Sequence, residues 1–126
     1  MFKRIDHVEL VPSDYEKTIT FYTDILGFTI KERIKIGTPP LREIVYLTLG
    51  DTMMEFLDVE NPDPKPANPW TVGYLSIALE VDNMDETVAY LKEKGVDIAW
   101  GPTDIGGPIR AEIRDPDGLT IELRQW

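Results

Sequence analysis

The sequence predicts an α+β fold: two tandem β-α-β-β-β modules that form a curved mixed sheet around a central cup, with the helices on the outer face. Three observations predict it. Residues 5 to 14, Ile-Asp-His-Val-Glu-Leu-Val-Pro-Ser-Asp, hold the only histidine, His7, in an alternating run that reads as a strand ending at a turn. Residues 74 to 83, Tyr-Leu-Ser-Ile-Ala-Leu-Glu-Val-Asp-Asn, repeat that pattern, with Ser76 in the place of His7 and Asn83 in the place of Asp14. Between the repeats, residues 61 to 70 contain Pro62, Pro64, Pro66 and Pro69. So many missing amide donors exclude a helix or an inner strand and leave an extended connector.

The elements follow in order. After the first strand, Asp14 is placed to cap a helix whose apolar residues Tyr15, Thr18, Ile19, Tyr22, Ile25 and Leu26 recur at helical spacing, with Gly27 as the stop. Phe28 to Ile36 alternates and ends at the turn signal Gly37-Thr38-Pro39-Pro40. Arg42 to Leu49 is the next strand, and Gly50-Asp51-Thr52 turns it into Met53 to Leu57. The first module thus spans 1–60, the connector 61–70 and the second module 71–126. In the second module we expect a strand at 72–81, a helix from Met84 to Lys94 stopped by Gly95, and a strand near Asp97–Trp100. A glycine-rich loop through Gly106-Gly107 leads to a strand at 108–114, the turn Asp115-Pro116-Asp117-Gly118, and a strand at 119–125.

A chain of 126 residues, 42% of them hydrophobic, suits one domain with one continuous core. Cysteine is absent, which removes disulfides, thiolate nucleophiles and cysteine-type zinc sites and fits a reducing cytoplasm. No apolar run approaches the ~20 residues that span a bilayer, and Met1-Phe2-Lys3-Arg4 opens no apolar leader, so we expect a soluble, unprocessed protein. The net charge of −10 repels nucleic acid and anionic membranes, partners that demand a basic surface.

Strand alternation sorts the chemistry onto faces. His7 shares a face with Ile5, Glu9 and Val11, while Val8 and Leu10 turn toward the helix. In the fourth strand Met54 and Phe56 take the helix side and Glu55 the other, between Met53 and Leu57. Ile121 and Leu123 likewise leave Glu122 opposite the helix with Thr120 and Arg124. Glu55 and Glu122 therefore hold corresponding places in the two modules, and with His7 and Ser76 they form the candidate site. Arg110, Glu112 and Arg114 alternate on one face of their strand. Arg110, Arg114 and Arg124 offer cations for a substrate carboxylate or phosphate, or form cross-strand ion pairs on a wet sheet. Glu9 and Glu80 read as rim charges, and Trp70 and Trp100, near loops, either as residues that close over a ligand or, as such tryptophans more often are, as packing or interface residues.

Three stretches carry a family resemblance. The opening Asp-His-Val-Glu-Leu (6–10), the helix segment Phe-Tyr-Thr-Asp-Ile-Leu-Gly-Phe (21–28) and the closing Arg-Asp-Pro-Asp-Gly-Leu-Thr-Ile-Glu-Leu (114–123) resemble the vicinal oxygen chelate superfamily. That superfamily includes glyoxalase I (lactoylglutathione lyase), methylmalonyl-CoA epimerase, extradiol dioxygenases, and fosfomycin and bleomycin resistance proteins. The resemblance implies metal ligands at His7, Glu55, Ser76 and Glu122. Serine stands where the metal enzymes usually carry histidine, and its neutral hydroxyl is a poor ligand for transition metals. His7, Glu55 and Glu122 are the remaining set, suited to zinc, nickel, cobalt, manganese or iron(II).

The resemblance further implies a lyase or isomerase of glyoxalase type, in which a carboxylate removes the proton beside a carbonyl, with Glu122 as first choice of base and Glu55 as second. Ser76, Arg110, Arg124 and Met53 are then the substrate-binding residues, and the substrate a small molecule with vicinal oxygens, such as a 2-oxoaldehyde thiol adduct. One histidine in the chain argues against extradiol dioxygenase chemistry, which wants two, and the methylmalonyl-CoA epimerase and fosfomycin-resistance resemblances also usually want a second, which leaves glyoxalase-type chemistry the least contradicted. The alternative is a metal-free binding protein of bleomycin-resistance type. A homodimer is implied in either case.

Overall fold

The computed structural model describes residues 1–126. The first half contains β1 (Val8–Leu10), α1 (Tyr15–Thr20), a π-helical stretch Phe21–Ile25, β2 (Thr29–Thr38), β3 (Leu41–Leu49) and β4 (Thr52–Val59). The second half contains β5 (Ile77–Glu80), α2 (Met84–Glu93), β6 (Trp100–Asp104), β7 (Ile109–Arg114) and β8 (Thr120–Gln125). The fold is α+β, with two four-stranded mixed sheets ordered β1-β4-β3-β2 and β5-β8-β7-β6. Contacts divide the chain into two compact units, Met1–Pro64 and Lys65–Trp126, and the division falls within the proline-rich segment.

Both helices start as their caps dictate. The Asp14 carboxylate accepts from the Lys17 amide at 3.1 Å, and the Asn83 side chain accepts from the Glu86 amide at 3.0 Å. In the first unit the buried stripe Tyr15, Thr18, Ile19 and Tyr22 faces the sheet, and α1 packs on β4. The Tyr22 ring meets Phe56 edge-on at 4.9 Å and Phe28 at 5.5 Å. Beyond Thr20 the helix widens, because the Thr23 hydroxyl donates to the Ile19 carbonyl at 2.9 Å and competes for the acceptor that the next turn needs. Gly27 ends it at φ +83°, a conformation closed to most side chains, and the Phe28 amide reaches back to the Tyr22 carbonyl at 2.9 Å. In the second unit α2 packs on β8, tied by the Met84 amide donating to Gln125 Oε1 at 2.6 Å.

Three expectations need correction. The opening strands are short: β1 and β5 begin one residue after His7 and Ser76. Each is an edge strand paired in parallel with one neighbour, and that neighbour has only just left its own turn. Val8 pairs with Met54 and Ile77 with Ile121, while β4 starts at Thr52 and β8 at Thr120. Val8, expected under the helix, is 41% exposed, since α1 lies over β4 and not over the edge. The strand expected near Asp97–Trp100 is in fact Trp100–Asp104. Val96 is used in closing the helix, its amide bonded to the Leu91 carbonyl at 2.8 Å. The strand then tolerates Pro102 because it is an edge and carries a register shift between Trp100 and Thr103. Gly101 is required at that shift, because a Cβ there would lie 2.6 Å from the Arg110 carbonyl oxygen.

Candidate functional site

In the first unit, β1 and β4 bring three donors together. Glu9 and Glu55 are direct partners across the parallel pair, and Tyr46 faces Glu55 from β3. Strand alternation sends Met54 and Phe56 into the helix-covered core, so Glu55 is committed to the opposite face with Glu9 and Tyr46. His7, just ahead of β1, lies on that face as well. Its Nε2 is 3.1 Å from Glu55 Oε2 and 3.5 Å from Glu9 Oε1, and its ring meets Tyr46 edge-on at 5.9 Å. Asp6 Oδ2 sits 2.8 Å from the other ring nitrogen, Nδ1.

The electrostatics of this group favour a cation. Burial, followed by the charge of Glu9 beside it, pushes the Glu55 carboxyl above its ordinary range. The Asp6 hydrogen bond, with help from Glu9 and Glu55, raises His7 against the opposing effect of its partial burial. With Asp6 on Nδ1, Nε2 faces two carboxylates, and either a proton on Nε2 or a metal cation between the three groups balances their charge. A carboxylate on Nδ1 that leaves Nε2 free is the usual way a protein orients a metal-binding histidine. One donor atom from each of His7, Glu9 and Glu55 lies within 4.8 Å of the others. This set of one imidazole and two carboxylates fits a divalent cation such as zinc, nickel, cobalt, manganese or iron(II). Met53 is half-buried on the same face of β4.

In the second unit Glu122 sits in β8 as Glu55 sits in β4, but among arginines. Arg110 Nε approaches Glu122 Oε2 at 3.0 Å, and Arg124 Nε donates to Glu122 Oε1 at 2.9 Å. Glu112, facing Glu122 from β7, is held by Arg110 at 2.5 Å and by Arg114 at 3.3 Å. Burial works against ionisation of Glu122, yet the hydrogen bonds from Arg124 and Arg110 and their charges outweigh it and hold the carboxyl below its usual range. Trp100 lies under the Arg110 guanidinium at 5.0 Å, and Trp126 under that of Arg124 at 5.1 Å. Trp100 is therefore a stacking partner of an arginine and not only a packing residue.

The structure thus gathers His7 with Glu55 in one unit, and Glu122 with Arg110 and Arg124 in the other. Ser76 is exposed, immediately ahead of β5. The residue that sequence reasoning missed is Glu9. Read as a rim charge, it belongs to the donor group. The signal was available in its alternation with His7, but only the register of β1 against β4 shows that Glu9 faces Glu55 directly.

The sequence matches the Glyoxalase/Bleomycin resistance protein/Dioxygenase superfamily over residues 4–123. It is similar to protein YaeR of Escherichia coli (strain K12), 29% identical over 122 residues that cover 96% of this chain and 95% of the relative. It is 31% identical to the mitochondrial methylmalonyl-CoA epimerase of Homo sapiens over 130 residues, covering 97% of this chain and 73% of that protein. Among solved structures, the glyoxalase family protein from Enterococcus faecalis superimposes with a TM-score of 0.85 at 29% identity, covering 98% of both chains. With a match spanning nearly its whole length, the chain belongs to the Glyoxalase/Bleomycin resistance protein/Dioxygenase superfamily.

Proposed function

We propose that the protein is a metal-dependent lyase or isomerase of glyoxalase type that removes a proton beside a carbonyl in a small substrate with vicinal oxygens, such as a 2-oxoaldehyde thiol adduct. One observation carries the reading: His7 Nε2, Glu9 and Glu55 converge on one face, with Asp6 on the far nitrogen of the imidazole. A divalent cation held by such a group supplies Lewis-acid polarisation of a carbonyl oxygen. Similarity to methylmalonyl-CoA epimerase supports the same class of proton removal.

The chain's own residues supply the rest. Glu122 is the carboxylate we assign to proton removal, leaving an enediolate. Arg110 and Arg124 keep it ionised, so it is ready to accept a proton, and they lower its basicity in doing so. An anionic substrate group that draws these guanidinium groups to itself weakens their hold on Glu122 and raises its basicity as substrate binds. Met53 contributes an apolar wall beside Glu55, and Ser76 a neutral hydrogen-bonding group for substrate. A homodimer in the cytoplasm completes the reading, the dimer being what the family resemblance implies.

A second reading is a metal-free binding protein for a small molecule. It is favoured by Ser76, a weak donor at a usual ligand position, and by Glu122, whose two oxygens are both taken by arginines. Solvent deuterium exchange followed by NMR separates the two. The enzyme reading expects metal-dependent loss of the proton beside the carbonyl of a 2-oxoaldehyde hemithioacetal, abolished by a chelator. Tight binding of such compounds in chelator, with no exchange under any metal, overturns it in favour of the binding protein.

A further inference from the structure

We infer that Glu9 is itself a ligand, so that the cation is held entirely by the first unit through His7, Glu9 and Glu55, and that this third donor makes up for the serine at position 76. The inference rests on the reading that the group binds a cation and adds which residues complete it.

The backbone register sets Glu9 beside Glu55. Neighbouring strands lie roughly 4.8 Å apart, and Glu9 and Glu55 are register partners on adjacent strands with their side chains on one face. Two carboxylates held in this way repel unless a positive charge lies between them. The distances match those of a chelate. Donors bound at about 2.0–2.2 Å in tetrahedral or octahedral geometry stand roughly 3.0–3.5 Å from one another. His7 Nε2 lies 3.1 Å from Glu55 Oε2 and 3.5 Å from Glu9 Oε1.

Charge points the same way. A neutral imidazole with two carboxylates balances a divalent ion, whereas the Glu122 carboxylate is already balanced by Arg110 and Arg124. In the second unit the position facing Glu122 from the edge strand is Ala78, which has no donor to give. The third donor therefore lies on β1 and not on β5. The Glu9 side chain is 59% exposed, which leaves that side of the group open to water or substrate. A competing occupant is a proton, with His7 as an imidazolium bridging both glutamates.

The test uses the full chain, dialysed against chelator and titrated with Zn2+ against a chromophoric competitor, and with Mn2+ counted by electron paramagnetic resonance. The variants are Glu9→Gln, Glu9→Asp and Ser76→Ala, each checked for its fold by circular dichroism. We expect one cation per chain in the parent. Glu9→Gln should lose more than roughly tenfold in affinity, the lower bound for groups that merely orient a ligand. Glu9→Asp should lie between, and Ser76→Ala should match the parent. Parent-like affinity in Glu9→Gln overturns the role of Glu9 while leaving a metal-dependent enzyme standing. Weakened binding in Glu9→Gln, in a protein that catalyses no proton exchange, keeps Glu9 as a ligand and overturns the enzyme reading. No cation bound by the parent overturns both and identifies the group as a proton-bridged triad.

Discussion

Glu55 and Glu122 occupy the same place in two similar sheets, and they differ in almost every chemical respect. Each lies in the strand that pairs in parallel with the edge strand, and each points away from the helix. Glu55 faces Glu9 on one side and Tyr46 on the other. Glu122 faces Ala78 and Glu112, with Arg110 and Arg124 within hydrogen-bonding reach. The first carboxyl is pushed up by burial and by a like charge, and the second is held down by guanidinium groups despite burial. Equivalent backbone positions therefore acquire opposite surroundings: Glu55 lies beside an imidazole and a like charge, and Glu122 between two guanidinium groups.

That contrast can be broken at its strongest point first. His7→Ala/Glu55→Ala should reduce bound metal from near-stoichiometric to none in elemental analysis of dialysed protein, while Arg110→Ala leaves it unchanged. Metal retained by the double variant would remove the first unit from the metal site. Next in size is Glu122→Gln, for which turnover should fall at least about 100-fold, the usual contribution of a positioned base, with metal content intact. Undiminished turnover ends the assignment of Glu122 as base. Smaller again is the stability cost of Arg110→Ala, about 1–3 kcal/mol in urea unfolding of the metal-free protein, because it strips one charged partner from the largely buried Glu122. Single costs of Arg110→Ala and Glu122→Gln that simply add in the double variant would show that the pair contributes nothing and that the arginine acts through packing alone.

The fold was legible because its signals are local and doubled. Asp14 and Asn83 as caps, Gly27 and Gly95 as stops, and strand alternation around Glu55 and Glu122 each recur in both halves, so each half supports the reading of the other. What stayed hidden was register. Glu9 and Glu80 look alike in sequence, but Glu9 is paired with Glu55 and Glu80 with Arg124. The same blindness explains Glu122, which reads as a free carboxylate until Arg110 and Arg124 are placed directly across from each other on β7 and β8. The limits of β6 escaped for a different reason. Gly101-Pro102 reads as a breaker, and only an edge position with a register shift lets a strand run through it.

A third carboxylate shows that the partner, and not the unit, makes this difference. Glu43, in the first unit, is held by Arg33 Nε at 2.6 Å and accepts from the Tyr15 hydroxyl at 3.1 Å, and Arg33 also pairs with Glu16. The Arg33 hydrogen bond, followed against burial by that of Tyr15, holds the Glu43 carboxyl below its ordinary range. A carboxyl lowered by folding adds stability that is present above its unfolded pKa and lost as pH falls through its folded pKa. The metal-free parent should therefore lose stability on the acid side of the ordinary carboxylate range, and Glu43→Gln should lose less over the same interval. The pair is partly exposed, so we expect a difference of only about 0.2–1 kcal/mol, read as the change in urea midpoint between neutral and acid pH. Identical acid limbs for parent and variant would mean that the guanidinium does not control the carboxyl it touches, and the contrast drawn between Glu55 and Glu122 would lose its physical basis.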